Sequence, residues 1–272
     1  MQPPPFPSDG FSGVVRIGDD AWAFGYADRA HEIPNTVDTQ FAIASGTKAF
    51  TRIVAESVLP PELHARELLG ADLPLIDDRV TVRQLIDHTS GIGDYYDEEI
   101  HTTFEGYVMQ VPVHELATTE DYIRALDGFP QQFEPGTRRK YCNAGYVVLA
   151  LLAERVTGTS FYDLVQQHVL DPAGMRDTAF FRSDALPGRA AIGYLSDGRT
   201  NVFHLPVRGS GDGGIYTTLD DIDRFWAFAD DRFQRLQGGD AGVGFTSVRG
   251  RYTVISNQSI GAGSVAAALD EL

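Results

Sequence analysis

The chain has little that could cross-link it covalently or hold it to a polyanion. Of its 272 residues a single one is cysteine, Cys142, which excludes an internal disulfide framework and any zinc site built on several thiolates. Basic side chains number 22 against 38 acidic ones, a formal net charge of -16, and a field of that sign repels nucleic acid and anionic lipid headgroups alike. The longest apolar run, Tyr146 to Ala153, falls well short of the roughly 18 residues a membrane helix needs. The opening Met1-Gln2-Pro3-Pro4-Pro5-Phe6 lacks a basic start followed by an apolar stretch. No signal peptide is expected from it, and a cytoplasmic location is. What remains, 43% hydrophobic and 11% aromatic residues, is the composition of a globular protein with a sizeable core.

Strand-like material stands at both ends of the chain. Gly13 to Ile17 and Ala21 to Tyr26 alternate as β-runs around a Gly18-Asp19-Asp20 turn, and further runs lie at Thr178 to Phe181, Ala190 to Leu195, Val243 to Val248 and Tyr252 to Ile255. The middle reads as helical. Ser45 to Leu59 repeats apolar residues at helical spacing until Pro60-Pro61 stops it, and Thr81 with Gln84 forms a capping box before Val82 to Asp87. Thr118 or Thr119 can cap a helix through Leu126, Asn143 can cap Ala144 to Val156 with Gly158 beyond its end, and Ser160 with Asp163 opens another. Helices are also expected at Leu219 to Ala229 and Val265 to Leu269. Residues 91 to 117 carry no period and read as a long, functional loop. The expected fold class is α+β, an antiparallel sheet of N- and C-terminal strands flanked by helices. Residues 1–58 and 179–272 form the sheet part, 59–178 an inserted and mostly helical part, with a site at their junction.

Only two of the basic residues are lysines, Lys48 and Lys140. Arginine cannot accept a proton at working pH, whereas a buried lysine can have its pKa depressed and act as a base. Lys48 follows Ser45 by three residues at a helix start, so amine and hydroxyl share one face and the first-turn N–H groups favour negative charge near Ser45. A nucleophile with its own base is one reading of Ser45-Gly46-Thr47-Lys48. A helix-capping serine beside a solvated lysine is the plainer one. Tyr141 and Asn143, just before an apolar helix, add a hydroxyl that can relay a proton and an amide that can orient the lysine or bind a carbonyl. They can equally be a packed ring and an N-cap.

In this order the motifs resemble the penicillin-recognising serine hydrolases, in the branch of class C β-lactamases, D-alanyl-D-alanine carboxypeptidases and related esterases. The resemblance runs over nearly the whole chain. Its blocks are 41–48 with Ser45 and Lys48, Leu85 to Ile92, Phe133 to Gly136 leading to Tyr141 through Tyr146, Pro172 to Thr178, and Gly213 to Asp221. It implies an acyl-enzyme formed on Ser45, proton transfers shared by Lys48 and Tyr141, and Asn143 positioning Lys48 and the substrate. It further implies an oxyanion hole from the Ser45 N–H and a C-terminal edge strand, no cofactor and no metal. The substrate would be a small ester, amide or β-lactam-like molecule. Where that family carries a Lys or His, a small residue and Gly, this chain reads Leu236-Gln237-Gly238-Gly239, with Gln237, Gly238 and Gly239 as the expected substrate-binding stretch. Loss of the cation disfavours carboxylate-bearing substrates, which points to an esterase or amidase more than to an efficient β-lactamase. The segments before Leu236 and from Val54 to Leu73 look shortened. A relative that acylates without turnover, or only binds, is the competing reading.

Three other motifs are weaker. Gly209, Gly211 and Gly214 match the spacing of a dinucleotide loop without the strand-turn-helix context it needs, and read better as a turn in the cleft wall. Asp94, Asp97, Glu98, Glu99 and His101 could be imagined as metal ligands, yet acids on a loop usually form a solvated face. His88 could be imagined as a triad base, although its place at a helix end favours a structural hydrogen bond.

Overall fold

The computed structural model describes residues 10–101, 103–259 and 261–271, so the proline-rich start at 1–9 lies outside the described residues. The chain opens with a hairpin of β1 (Gly13–Ile17) and β2 (Asp20–Phe24), then a two-stranded ribbon of β3 (Tyr26–Asp28) and β4 (Ile33–Pro34). β5 (Phe41–Ala42) leads through a 3-10 turn at Ala44–Gly46 into α1 (Thr47–Val58). The helical middle comprises α2 (Ala65–Leu69), α3 (Val82–Ile86), α4 (Ile123–Leu126), α5 (Asn143–Thr157), α6 (Phe161–Val165) and α7 (Asp171–Ala173). After β6 (Ala179–Phe180), β7 (Ile215–Thr217) and α8 (Leu219–Phe228), the chain returns to strands β8 (Arg235–Asp240), β9 (Val243–Val248) and β10 (Tyr252–Ser256), and then to α9 (Ala262–Asp270).

The first and last strands share one antiparallel sheet in the order β2-β1-β10-β9-β8, the α+β arrangement expected. β1 aligns Gly13 with Ser256 and Ile17 with Tyr252. Alternation along the strands divides the core, because successive side chains point to opposite faces. Val15 and Val254 pack with Val265, Ala266 and Leu269 of α9, while Val14 and Ile255 face the main core with Phe50, Val147 and Phe225. α5 is buried from Asn143 through Ala153, which explains its lack of a polar face: neighbours surround it. Each of its large apolar side chains contributes about 1.5–3 kcal/mol on burial.

Several local expectations hold with shifted ends. The Thr81–Gln84 capping box forms with both bonds, Gln84 N to Thr81 Oγ1 at 3.3 Å and Thr81 N to Gln84 Oε1 at 3.0 Å. Gly18, with φ +56°, supplies the tight turn between β1 and β2, at a backbone angle that side chains resist. Two 3-10 turns, Phe104–Gly106 and Val113–Glu115, interrupt the long loop, and the helix expected after Thr118 begins as a 3-10 turn at Glu120–Tyr122.

Three expectations are corrected. Ala190 to Leu195 is no strand: Ala190 and Tyr194 make only isolated bridges, because Gly193 and its neighbours connect to several different segments instead of one partner strand. Asn143 is not an N-cap. Cys142 holds that position and makes no side-chain cap, with Asn143 already in the first turn. The helix expected from Ser45 starts at Thr47.

Candidate active site

Ser45 sits in the 3-10 turn between β5 and α1, and its predecessor Ala44 is held at φ +44°. That left-handed angle costs a residue with a side chain of order 1–3 kcal/mol and persists only where surrounding bonds impose it. They do so here: Ile43 N donates to Ile215 O at 3.0 Å, and Ile215 N donates to Thr47 Oγ1 at 3.2 Å, tying both flanks of the turn to β7. The Ser45 hydroxyl caps no helix. Instead Lys48 Nζ donates to Ser45 Oγ at 2.8 Å, and the Tyr141 hydroxyl donates to the same oxygen at 2.9 Å.

Lys48 is buried at 6% exposure. Its amine makes three hydrogen bonds, to Ser45 Oγ, to Asn143 Oδ1 at 2.9 Å and to the Asp212 carbonyl at 2.8 Å, as many as an ammonium can donate. Asn143 presents its oxygen to the amine because its Nδ2 donates to Tyr96 O at 3.2 Å. The Asp212 carbonyl arrives on the glycine-rich turn at 209–214. A Cβ at Gly211 would run into the Tyr146 backbone, and one at Gly209 into that of Gly213, so glycines let this turn fold tightly between α1 and α5. Thr51 Oγ1 fastens it by donating to Gly211 O at 2.5 Å. The dinucleotide-like spacing therefore belongs to a packed turn.

Asn143 is set in turn by Asp94. The Asp94 carboxylate, from the long loop, accepts the Asn143 N–H at 2.6 Å and the Ala144 N–H at 3.1 Å, capping α5 from 49 residues away. Burial raises the Asp94 carboxyl to about 6 against the pull of these bonds, since desolvation disfavours its charged form. The remaining acids of that loop do not converge on a metal position. Asp97 pairs with Lys140 at 2.6 Å, Glu98 and Glu99 are exposed, and His101 stacks on Tyr96. Among the described residues no group of three or more His, Cys, Asp or Glu side chains could hold a metal ion.

His88 is buried, its Nδ1 accepts the Cys142 N–H at 3.1 Å, and its ring lies against those of Tyr141 and Tyr146. Burial, with the charge of Lys48 next in weight, lowers it to about 3. A ring so held stays neutral and has its Nδ1 engaged, which fits a structural hydrogen bond. The opposite wall of the cleft is β8, the open edge of the sheet. A Cβ on Gly238 would lie 2.6 Å from Ser45 N and 2.9 Å from Gly46 N, so the strand passes hard against the serine backbone. Gln237, Gly238 and Gly239 line the same cleft of about 830 Å³ as Ser45, Lys48 and Tyr141. The short link before β8 is a turn at 229–234 with no strand of its own. Sequence reasoning missed the supports, Asp94 and Asp212. The only signals were an acid opening a loop and an Asp amid glycines.

A serine hydroxyl held by a buried lysine and a tyrosine beside an open sheet edge is an arrangement suited to nucleophilic attack on a carbonyl. The chain belongs to the Beta-lactamase family, whose pattern matches residues 10–253. It is 29% identical over 227 residues to "Penicillin-binding protein 4*" of Bacillus subtilis, covering 75% of this chain and 48% of that protein. It is 30% identical over 231 residues to a "D-aminopeptidase" of Brucella anthropi, covering 81% and 43%. The chain thus spans about half, or less, of the length of the curated relatives it matches. The solved penicillin binding protein from Bacillus halodurans is 32% identical, with a TM-score of 0.85 over 96% of each chain. A D-amino acid amidase from Ochrobactrum anthropi SV3, at 19% identity and a TM-score of 0.70, shares the fold. No helix among the described residues is long and apolar enough to cross a membrane.

Proposed function

We propose that the chain is a serine hydrolase that cleaves a small ester or amide through an acyl-enzyme on Ser45. The observation that carries this reading is the convergence of Lys48 Nζ and the Tyr141 hydroxyl on Ser45 Oγ at 2.8 and 2.9 Å. As Oγ bonds to the substrate carbonyl carbon, its proton passes to the Lys48–Tyr141 pair in the form that is one proton short, a neutral Lys48 amine or a Tyr141 phenolate, and the pair then returns that proton to the leaving alcohol or amine. Water then attacks the acyl carbon by the reverse route and frees Ser45. Asn143 holds Lys48 in place. The Ser45 N–H and an N–H of the Gln237–Gly239 stretch receive the tetrahedral oxygen. The division into a sheet part at 1–58 and 179–272 and a helical part at 59–178 sets this chemistry at their junction. With neutral Gln237 on the edge strand, neutral esters and amides are favoured over carboxylate-bearing β-lactams.

Hydrolysis of 4-nitrophenyl acetate and of a chromogenic cephalosporin, with intact mass recorded in parallel, tests this reading. Ester turnover should vanish in Ser45→Ala and fall about 10²–10⁴-fold in Lys48→Ala and in Tyr141→Phe. A Ser45-dependent mass shift without turnover would mean a trapped acyl-enzyme, and no shift at all a binding protein.

A further inference from the structure

The tripeptide Asp94-Tyr95-Tyr96, early in the long loop, reaches both partners of Lys48 other than Ser45. Those partners are Asn143 Oδ1 and the Asp212 carbonyl. Asp94 accepts the Asn143 N–H and Tyr96 O accepts the Asn143 Nδ2–H, so the two ends of the tripeptide grip Asn143 by its backbone and by its side chain. Tyr95, between them, donates its hydroxyl to the Asp212 carboxylate. Burial, and then the Asp212 charge, push that hydroxyl well above the ordinary tyrosine range, so it keeps its proton and acts as the donor. The tripeptide is itself held in shape: Asp94 Oδ1 also accepts the Tyr96 N–H at 3.2 Å, and the Tyr107 hydroxyl donates to Tyr95 O at 2.5 Å.

Asp212 needs such a hold. It stands between Gly211 and Gly213, residues whose backbone rotates most freely. Thr51 fastens the Gly211 carbonyl, and the Tyr162 hydroxyl that of Gly209 at 3.1 Å. The peptide that carries the Asp212 carbonyl has a weaker tie on its other side, from Gly213 N–H to Ser210 O at 3.4 Å, beyond the usual range for such a bond. Among the described residues the bond from Tyr95 is the only hydrogen bond of the Asp212 carboxylate. Resting on the serine hydrolase reading above, we propose that Tyr95 is a positioning residue for the reaction: by holding the Asp212 carboxylate it aims the Asp212 carbonyl at Lys48, and so keeps the amine in register with Ser45 Oγ. Tyr95 thus acts on the nucleophile through two intermediaries, Asp212 and Lys48, while its neighbours Asp94 and Tyr96 steady the same amine through Asn143.

A double-mutant cycle on 4-nitrophenyl acetate hydrolysis tests this, with urea unfolding to establish that each variant is folded. Tyr95→Phe keeps the ring and removes the hydroxyl, and should lower kcat and kcat/KM together by about ten- to hundredfold, the scale of one lost bond to a charged group. Asp212→Ala should lose as much, and Tyr95→Phe/Asp212→Ala no more than the worse single variant, because the two changes remove one contact. Asp212→Asn, which keeps a side-chain oxygen for the tyrosine, should retain a kcat at least about fivefold above that of Asp212→Ala. Losses that multiply in the double variant, an effect of Tyr95→Phe confined to KM, or equal kcat in Asp212→Asn and Asp212→Ala would overturn the proposal, and Ser45-dependent turnover would leave the hydrolase reading standing. Should the wild type turn over no ester, crystal structures of the variants decide. Lys48 Nζ should lose the Asp212 carbonyl in Tyr95→Phe and keep it in Asp212→Asn, and an unmoved Lys48 in Tyr95→Phe refutes the role of the hydroxyl.

Discussion

Replacing His88 with asparagine should remove much of the protein's sensitivity to acid while leaving its chemistry in place. In the folded chain the imidazole is lowered from 6.5 to about 3, first by burial and then by the charge of Lys48. A depressed pKa means that the unfolded state takes up a proton which the folded state refuses. His88 therefore contributes fully above about pH 6.5, and its contribution falls by about 1.4 kcal/mol per pH unit as pH drops toward 3. By pH 5 the loss is about 2 kcal/mol, and over the whole window about 5 kcal/mol. Asparagine suits the site because His88 is held at φ +58°, a left-handed angle asparagine tolerates, and its side-chain oxygen is an acceptor of the kind the Cys142 N–H uses now. Urea unfolding of both proteins between pH 7.5 and pH 4 measures the effect. The opposing titration of Asp94 is common to both and cancels in the difference. Equal loss of stability with acid would refute the argument that the ring is buried neutral. In the same samples Ser45-dependent ester turnover should persist within about tenfold, whereas loss of a triad base costs about 10⁴-fold or more.

Gly238→Ala places a methyl group 2.6 Å from Ser45 N and so pushes β8 off the serine. Steady-state ester hydrolysis should fall about 10²–10³-fold, the scale of one lost oxyanion donor, with little change in Tm; full activity would refute the close approach. Asp94→Asn removes a carboxyl whose pKa is raised from 3.8 to about 6, so the wild type should gain up to about 3 kcal/mol on the variant as pH falls from 7 to 4. A pH-independent difference in unfolding free energy would count against that shift. Gln237→Lys restores a cation to the edge strand and should raise kcat/KM for a carboxylate-bearing cephalosporin relative to 4-nitrophenyl acetate by about tenfold, and an unchanged ratio would remove Gln237 as the specificity determinant.

The parts of this protein that were legible from sequence are those whose cause is local. Ser45 and Lys48 are three residues apart, the Thr81–Gln84 box closes within one turn, and the β1–β2 hairpin is set by its own glycine. Misread elements depend on distant partners. Asn143 has the chemistry of a cap, and nothing nearby shows that Asp94 takes that task and frees the Asn143 amide for Lys48. Ala190 to Leu195 has the composition of a strand but no neighbouring strand to pair with, and pairing is a tertiary property. Asp212 acts on Lys48 through its backbone carbonyl, a group every residue carries, so no residue type could mark it. The strand Ile215–Thr217 is only three residues long and went unread for that reason.

The pairing of β1 with β10 also bears on how the chain reaches its native state. Gly13 must find Ser256, and the edge strand that flanks Ser45 hangs on the same sheet. The nucleophile and its opposite wall are thus nearly 200 residues apart in sequence, and closing so large a loop is slow compared with forming helices. During synthesis Ser45, Lys48, Tyr141 and Asn143 are therefore all present on a nascent chain before the strand that packs against Ser45 exists, and on the reading proposed above hydrolysis should switch on only once β8, β9 and β10 have joined β1 in the sheet.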